Sequence, residues 1–299
     1  MSNIRIGVDL GGTKIEIICL DRTGQELARR RVPTPQGNYD KTVRAITELV
    51  NSVDDSDTPV GIGVPGTISP ATGLIKNSNS TCLIGHPLDR DLAKAMGRKI
   101  RLANDADCFA YSESIDGAGA ESMVVFGIIL GTGVGGGLVI NKTIVRGPNA
   151  VTGEWGHNPL PWPSIHEDET PGPRCYCGLY GCIETFLSGP ALSNDHAKFT
   201  NGILDAAEIS RRADVGDKSS EQTMNRYVER LARASASLIN TLDPNVIILG
   251  GGLSHVERLY REVPKIWPKY VFSDTVVTDL VPPRHGSASG VRGAAWLWP

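Results

Sequence analysis

At 299 residues, with 40% hydrophobic and 21% charged side chains and a formal net charge of -3, the chain has material for two domains and an ordinary soluble balance. No basic block is present, which argues against a nucleic-acid partner, and no apolar run approaches the roughly 20 residues that a bilayer span needs. The N-terminus lacks the apolar stretch of a signal peptide, so a cytoplasmic location with no membrane partner is expected.

In chain order, residues 4–9 read as a buried strand, Gly11-Gly12-Thr13-Lys14 as a turn and 15–20 as a second strand; 21–24 turns the chain into a third strand ending at Pro33. The spacing of Val43, Ile46, Leu49 and Val50 predicts an amphipathic helix over about 39–53. Residues 60–64 follow as a strand closed by Pro65-Gly66. The segment 67–87, rich in Ser, Thr, Asn and Gly, reads as loop. Asp89 is expected to cap a helix to Met96, and 99–103 to form a strand leading into Asn104-Asp105 and a further helix.

The pattern then begins again. Residues 123–130 read as a strand, Gly131-Thr-Gly-Val-Gly-Gly-Gly137 as a glycine turn and 138–141 as the return strand, the same plan as residues 4–20. Such self-similarity predicts two domains of related topology. A long helix over 221–242 places Met224, Tyr227, Val228, Leu231, Leu238, Ile239 and Leu242 on one face, and Asp243-Pro244 ends it. A strand over 246–249, the turn Gly250-Gly251-Gly252, a helix to about Trp267 and a last helix over 289–298 complete the chain.

Three glycine turns each follow a strand, where backbone N–H groups can approach a phosphate closely because no Cβ intervenes. Gly131, Gly133 and Gly136 match G-x-G-x-x-G, but a strand follows instead of the helix that a dinucleotide fold requires. What remains is one phosphate-gripping hairpin in each half, with Gly250, Gly251 and Gly252 at the start of a helix.

The strongest chemical signal is His157 together with Cys175-Tyr-Cys177-Gly-Leu-Tyr-Gly-Cys182, flanked by Glu154 and Glu184. One imidazole and three thiols can close on a single tetrahedral zinc, which takes four such ligands when its task is structural. The alternative is reduced or disulfide-paired cysteines in a surface loop, although Cys175 and Cys177 stand too close to pair comfortably with each other. Cys19, Cys82 and Cys108 are expected in the core, and His86, His166, His196 and His255 on the surface.

Asp9-Leu-Gly-Gly-Thr-Lys14, Ala103-Asn-Asp105, Leu130-Gly-Thr-Gly133, Gly153-Glu-Trp-Gly-His157, the cysteine run through Glu184 and Leu249-Gly-Gly-Gly252 together resemble the bacterial ROK sugar kinases (repressors, open reading frames, kinases). Gly156-His-Asn-Pro-Leu-Pro-Trp162 and Gly290-Val-Arg-Gly-Ala-Ala-Trp-Leu-Trp298 look most like the fructokinase or manno(fructo)kinase branch, with N-acetylglucosamine kinases as neighbours. The resemblance implies an α/β, two-domain actin/hexokinase/Hsp70-like (ribonuclease H-like) fold with the active site in the interdomain cleft. Its parts would be a small domain 1–117, a large domain 118–285 and a C-terminal helix 286–299 returning to the small one.

The activity so implied is ATP-dependent phosphorylation of a hexose hydroxyl, fructose to fructose 6-phosphate first and mannose beside it, with N-acetylglucosamine or glucose as the alternative acceptors. A non-catalytic sugar sensor and a ROK repressor are the rival classes. Family repressors usually carry a helix-turn-helix ahead of the core, whereas the first strand here is expected at Ile4. The resemblance makes Asp105 the catalytic base and Asp9 a Mg²⁺ ligand. Gly11, Gly12, Thr13, Lys14, Gly131, Thr132 and Gly133 would face the ATP phosphates. Gly66, Asn79, Asn104, Asp105, Glu154, His157 and Glu184 would surround the sugar, His157 serving zinc with one ring nitrogen and the sugar with the other. A homodimer is also implied. Arg284 and His285 have no role that the sequence supplies.

Overall fold

The computed structural model describes residues 4–200 and 202–298; the N-terminal residues that bear on a leader, Met1–Asn3, lie outside them. The chain runs through β1 (Ile4–Leu10), β2 (Lys14–Asp21), β3 (Glu26–Pro33), α1 (Tyr39–Asn51), β4 (Val60–Val64), β5 (Thr67–Ile68), β6 (Ile75–Lys76), α2 (Leu88–Met96), β7 (Ile100–Asn104) and α3 (Asp105–Ile115). It continues through β8 (Val124–Leu130), β9 (Val134–Ile140), β10 (Thr143–Ile144), α4 (Glu184–Leu187), α5 (Gly189–Phe199), α6 (Ala206–Asp214), α7 (Lys218–Leu242), β11 (Val246–Gly250), α8 (Glu257–Ile266), β12 (Asp279–Val281) and α9 (Ser289–Trp296). The sheets have the orders β3-β2-β1-β4-β7 and β10-β9-β8-β11-β12, with β5-β6 as a small hairpin. Two compact units emerge, one of Met1–Ala120, Gly137–Thr152 and Arg284–Pro299, the other of Glu121–Gly136 and Gly153–Pro283. No helix among the described residues is long and apolar enough to cross a membrane.

In the first unit, β1, β4 and β7 are parallel, with Asp9 opposite Gly63 and Val64 opposite Asn104. This register brings Asp9, Gly66 and Asn104-Asp105 to the carboxyl ends of neighbouring strands, where open α/β sheets bind ligands. Ile6, Val8, Ile17, Val60 and Ile62 are fully buried and pack with Ile46 and Val50 of α1 into one core. The other face of the sheet is covered by α9, which packs against β1, β2, β4 and α3. A side chain at Gly61 would overlap the Ala294 carbonyl, and one at Gly293 the Cys108 carbonyl, so these glycines set how closely α9 lies on the sheet and on α3.

The roleless Arg284-His285 pair finds its reason here. Glu113 is fully buried, and its carboxylate accepts the backbone N–H groups of Ala118 (2.8 Å), Arg284 (3.0 Å) and His285 (3.2 Å) together with the Ser289 hydroxyl (2.7 Å). His285 Nε2 also lies 2.9 Å from Asp116, whose second oxygen accepts from Arg292. The stretch therefore latches the C-terminal segment to the end of α3.

Several elements differ from their sequence reading. The segment 67–87 contains the β5-β6 hairpin and a 3₁₀ turn at Thr81–Leu83. Asp89 lies inside the first turn of α2, whose N-cap position is Pro87. β9 begins at Val134, so Gly135, Gly136 and Gly137 are strand residues. A Cβ on Gly136 would stand 2.8 Å from the Trp155 ring and 2.9 Å from Phe126, so the glycines admit an edge-on aromatic pair against the strand. α7 starts at Lys218 behind the Asp217 cap, and Gly252–His255 is a 3₁₀ turn that delays α8 to Glu257. His196 is buried against Thr223 (3.1 Å), not exposed. Cys19 and Cys108 are buried as expected, and Cys82 is half-buried.

Candidate active site and metal centre

Asn104 caps α3: its Oδ1 accepts the Ala106 N–H at 2.9 Å, while its Nδ2 donates to the Gly66 carbonyl at 3.2 Å. Asp105 is thereby the first helical residue, half-buried at the positive end of α3. Its charge is felt by Asp9, whose carboxyl is pushed up to about 7 by burial first, then by Asp105 and Glu16, against a lowering effect of Lys14. Asp9 near the end of β1 and Asp105 at the head of α3 offer carboxylate oxygens, the donors that a hard divalent cation such as Mg²⁺ prefers.

The first hairpin is held by its own backbone, with Gly11 N–H donating to Lys14 O at 3.0 Å and Thr34 N–H to Thr13 O at 3.0 Å. Gly12 and Thr13 are exposed at its tip. Lys14, read as a phosphate neighbour, lies 3.4 Å from buried Glu16, which also binds Arg29 and Arg31. Asn79 is exposed in the turn ahead of Thr81–Leu83.

In the second unit, one ring nitrogen of His157 and the Sγ atoms of Cys175, Cys177 and Cys182 all lie within 4.8 Å of one another. Cys175 Sγ is 3.6 Å from His157 Nδ1, and Cys177 Sγ is 3.6 Å from Cys182 Sγ. Tetrahedral bonds of about 2.3 Å to sulfur require ligand separations of about 3.8 Å. The donor set and its spacing fit zinc, and all six cysteines are free. Gly178 and Gly181 adopt φ of +94° and +70°, the left-handed turns that fold the three thiols toward one point. His157 Nε2 faces the Tyr176 hydroxyl at 3.0 Å. Zinc in stoichiometric amount is expected in purified protein by elemental analysis. Cys177→Ala should lower the melting temperature by roughly 5–10 °C, at about 2–4 °C per kcal/mol for a body of this size. Equal melting curves for variant and parent would remove the metal from the account.

The glycine hairpin after β8 borders a cavity of about 740 Å³. Gly131, Thr132 and Gly252 line it, with Leu130, Pro190, Leu253 and Val256 as apolar wall and Asp205 and Arg211 among the polar groups. Gly251 (φ +79°) passes so close to the Leu130 carbonyl that no side chain fits, which draws the two glycine turns together. The wall formed by Pro190, Asp205, Ala206 and Arg211 is absent from the sequence reading. Its available signals were the helix starts at Ser188 and Asp205, each of which caps through its own side chain.

Of the residues expected around a sugar, the structure gathers Gly66, Asn104 and Asp105 in the first unit. Glu154 and His157 share one turn of the second unit, His157 N–H donating to Glu154 O at 3.2 Å. Glu184 opens α4, and its Oε2 accepts the Val134 N–H at 3.0 Å.

These features define an α/β protein of the hexokinase-like class. The ROK family sequence profile matches residues 5–299, and the chain belongs to that family. The N-acetyl-D-glucosamine kinase of Yersinia enterocolitica is 38% identical over 296 residues, covering 97% of this chain and 98% of that protein. Among solved structures, the ROK hexokinase from Thermus thermophilus matches with a TM-score of 0.85 at 30% identity, over 98% of this chain and 96% of that one. A ROK family glucokinase from Streptomyces griseus, solved with glucose and AMPPNP, matches with a TM-score of 0.79 at 28% identity, over 98% of each chain.

Proposed function

We propose that this chain is an ATP-dependent sugar kinase whose acceptor is N-acetylglucosamine. The observation that carries the kinase reading is the placement of two carboxylates: Asp105 heads α3 beside the capping Asn104, and the register of β1, β4 and β7 brings Asp9 to the same carboxyl edge of the sheet. Phosphoryl transfer passes through a loose transition state, so the protein's task is positioning and charge neutralisation. Asp105 would orient the acceptor hydroxyl and take its proton as the new O–P bond forms and the bond from the γ-phosphorus to the bridging oxygen breaks, ADP leaving. Asp9 would hold Mg²⁺, which when bound neutralises charge on the phosphates. The apolar wall of the second-unit cavity suits a purine, and the backbone N–H groups of Thr132 and Gly133 suit phosphate oxygens, Gly131 closing the turn by donating to Gly133 O. Gly66, Asn79, Asn104, Glu154, His157 and Glu184 are the proposed sugar contacts, with zinc on His157, Cys175, Cys177 and Cys182 stiffening the loop between two of them. Lys14, also proposed beside the phosphates, is engaged with Glu16 at 3.4 Å.

The acceptor assignment follows the relatives, which shifts the order of the sequence-based expectation. N-acetylglucosamine, placed second there, is now first, because a kinase named for it is 38% identical over 97% of this chain. Fructose becomes the second reading, carried by Gly156-His157-Asn158-Pro-Leu-Pro-Trp162 and by the closing Trp296-Leu-Trp298 run. The deciding experiment is ADP release with N-acetylglucosamine, fructose, mannose and glucose. kcat/KM for N-acetylglucosamine is expected at least about tenfold above the others, the size of discrimination that one added polar group can supply. A preference for fructose would select the second reading. Sugar binding without ADP release would identify a sensor.

A further inference from the structure

The segments that carry the thiol and imidazole groups close directly on the glycine hairpin of the same unit. Glu184, two residues past Cys182, accepts the Val134 N–H through Oε2 at 3.0 Å, while Oε1 lies 4.0 Å from Cys175 Sγ. A Cβ on residue 133 would stand 2.6 Å from that same Oε2, so Gly133 leaves the space that the carboxylate fills. Further along, Gly189 N–H donates to Gly131 O at 2.8 Å. On the opposite flank Gly156, next to His157, passes so near the Val134 carbonyl that any side chain would overlap it. The hairpin is thus gripped at Gly133 and Val134 by Glu184 and Gly156, which adjoin the candidate metal ligands, and at Gly131 by Gly189 at the start of α5; its Gly131 and Thr132 line the cavity.

The geometry points to Glu184 as a positioning residue for the phosphate hairpin. A carboxylate beside a phosphate site repels the ligand, so its benefit must come through the backbone that it fixes. By occupying the Val134 N–H it sets the orientation of the hairpin's peptide groups: the Gly131 N–H is spent on Gly133 O at 3.0 Å, and the N–H groups of Thr132 and Gly133 are left as the donors for phosphate. The loop built on His157, Cys175, Cys177 and Cys182 is thereby coupled to nucleotide binding as well as to the sugar. This rests on the nucleotide reading of the cavity and goes beyond the sugar contact proposed for Glu184.

The test is the affinity for AMPPNP with Mg²⁺, measured by calorimetry in the absence of sugar. Glu184→Ala is expected to weaken binding about tenfold, the effect of losing one charge-assisted hydrogen bond. Glu184→Gln, whose carbonyl oxygen can still accept the Val134 N–H, should stay within about threefold of the parent. At saturating sugar the Ala variant should raise KM for ATP more than it lowers kcat. A purely sugar-binding Glu184 would leave AMPPNP affinity unchanged in both variants, and that result overturns the inference while the kinase reading stands. Failure of the parent protein to bind AMPPNP would instead overturn the nucleotide reading. If Glu184→Ala does not fold, Gly133→Ala, which pushes into the same carboxylate, should show the loss of AMPPNP affinity, and parental affinity there overturns the inference equally.

Discussion

Asp105→Asn is expected to lower kcat by about 10²–10⁴ while sugar and nucleotide affinities and the melting temperature stay close to those of the parent. The substitution is nearly isosteric. The Ala106 N–H is shared by Asn104 Oδ1 and Asp105 Oδ1, each at 2.9 Å, and Asn104 Nδ2 also reaches Gly66; Asn104 and the amide oxygen of an asparagine at 105 can both still accept that N–H, so the helix start survives. What disappears is a proton acceptor and one negative charge. Because Asp105 is among the causes that push the Asp9 carboxyl up to about 7, its loss should also move that carboxyl back toward the ordinary carboxylate range. Single-turnover phosphoryl transfer and calorimetric sugar binding on the same variant separate the two effects. Turnover near that of the parent would reject Asp105 as the base, and loss of sugar affinity equal to the loss of kcat would recast it as a binding residue.

The sequence carried the parts of this site whose chemistry is local. Asp9 to Lys14 and Leu130 to Gly133 announce themselves because a strand that stops at glycines can only turn or meet a ligand closely. His157 and the three cysteines are legible because thiol and imidazole groups at such spacing have few other uses. Boundaries failed where a glycine serves a distant neighbour: Gly136 reads as turn until Trp155 and Phe126 are seen against it. The same holds for Gly250 to Gly252, where proximity to the Leu130 carbonyl, and not the onset of a helix, accounts for Gly251. Long-range polar partners stayed out of reach altogether. Glu113 meets Arg284 and His285 across 171 and 172 positions, and no periodicity on either segment encodes that pairing. His196 was misplaced for a related reason, since a histidine on a weakly amphipathic helix gives no sign that Thr223 waits to receive it.

Glu169→Ala is expected to destabilise the second unit by about 3–5 kcal/mol, the scale for removing one member of a buried ion network. Glu169 is 3% exposed. Its Oε1 accepts from Arg230 Nε at 2.7 Å and from Arg233 Nη2 at 2.8 Å, while its Oε2 accepts from Arg233 Nη1 at 2.8 Å and from the Ser164 N–H at 2.7 Å. Arg230 goes on to Asp195, which Arg226 also binds, so three arginines of α7 at helical spacing share two carboxylates. Alanine would leave two buried guanidinium groups short of charge and would free the 164–169 stretch that precedes the cysteine loop. Burial works to raise the Glu169 carboxyl, but hydrogen bonds from Arg233 and Arg230 outweigh it and hold the group below its ordinary value of 4.5. The contribution is therefore present above the unfolded pKa and is lost as pH falls through the folded one. Denaturant unfolding of parent and Glu169→Gln should accordingly differ most at neutral pH and converge in acid. A difference that does not change with pH would mean that the ion network is not what Glu169 supplies. Because the residue precedes Cys175 in the same loop, the Ala variant should also lose zinc more readily to a chelator, whereas a purely global loss of stability would leave metal retention in the native state unaltered.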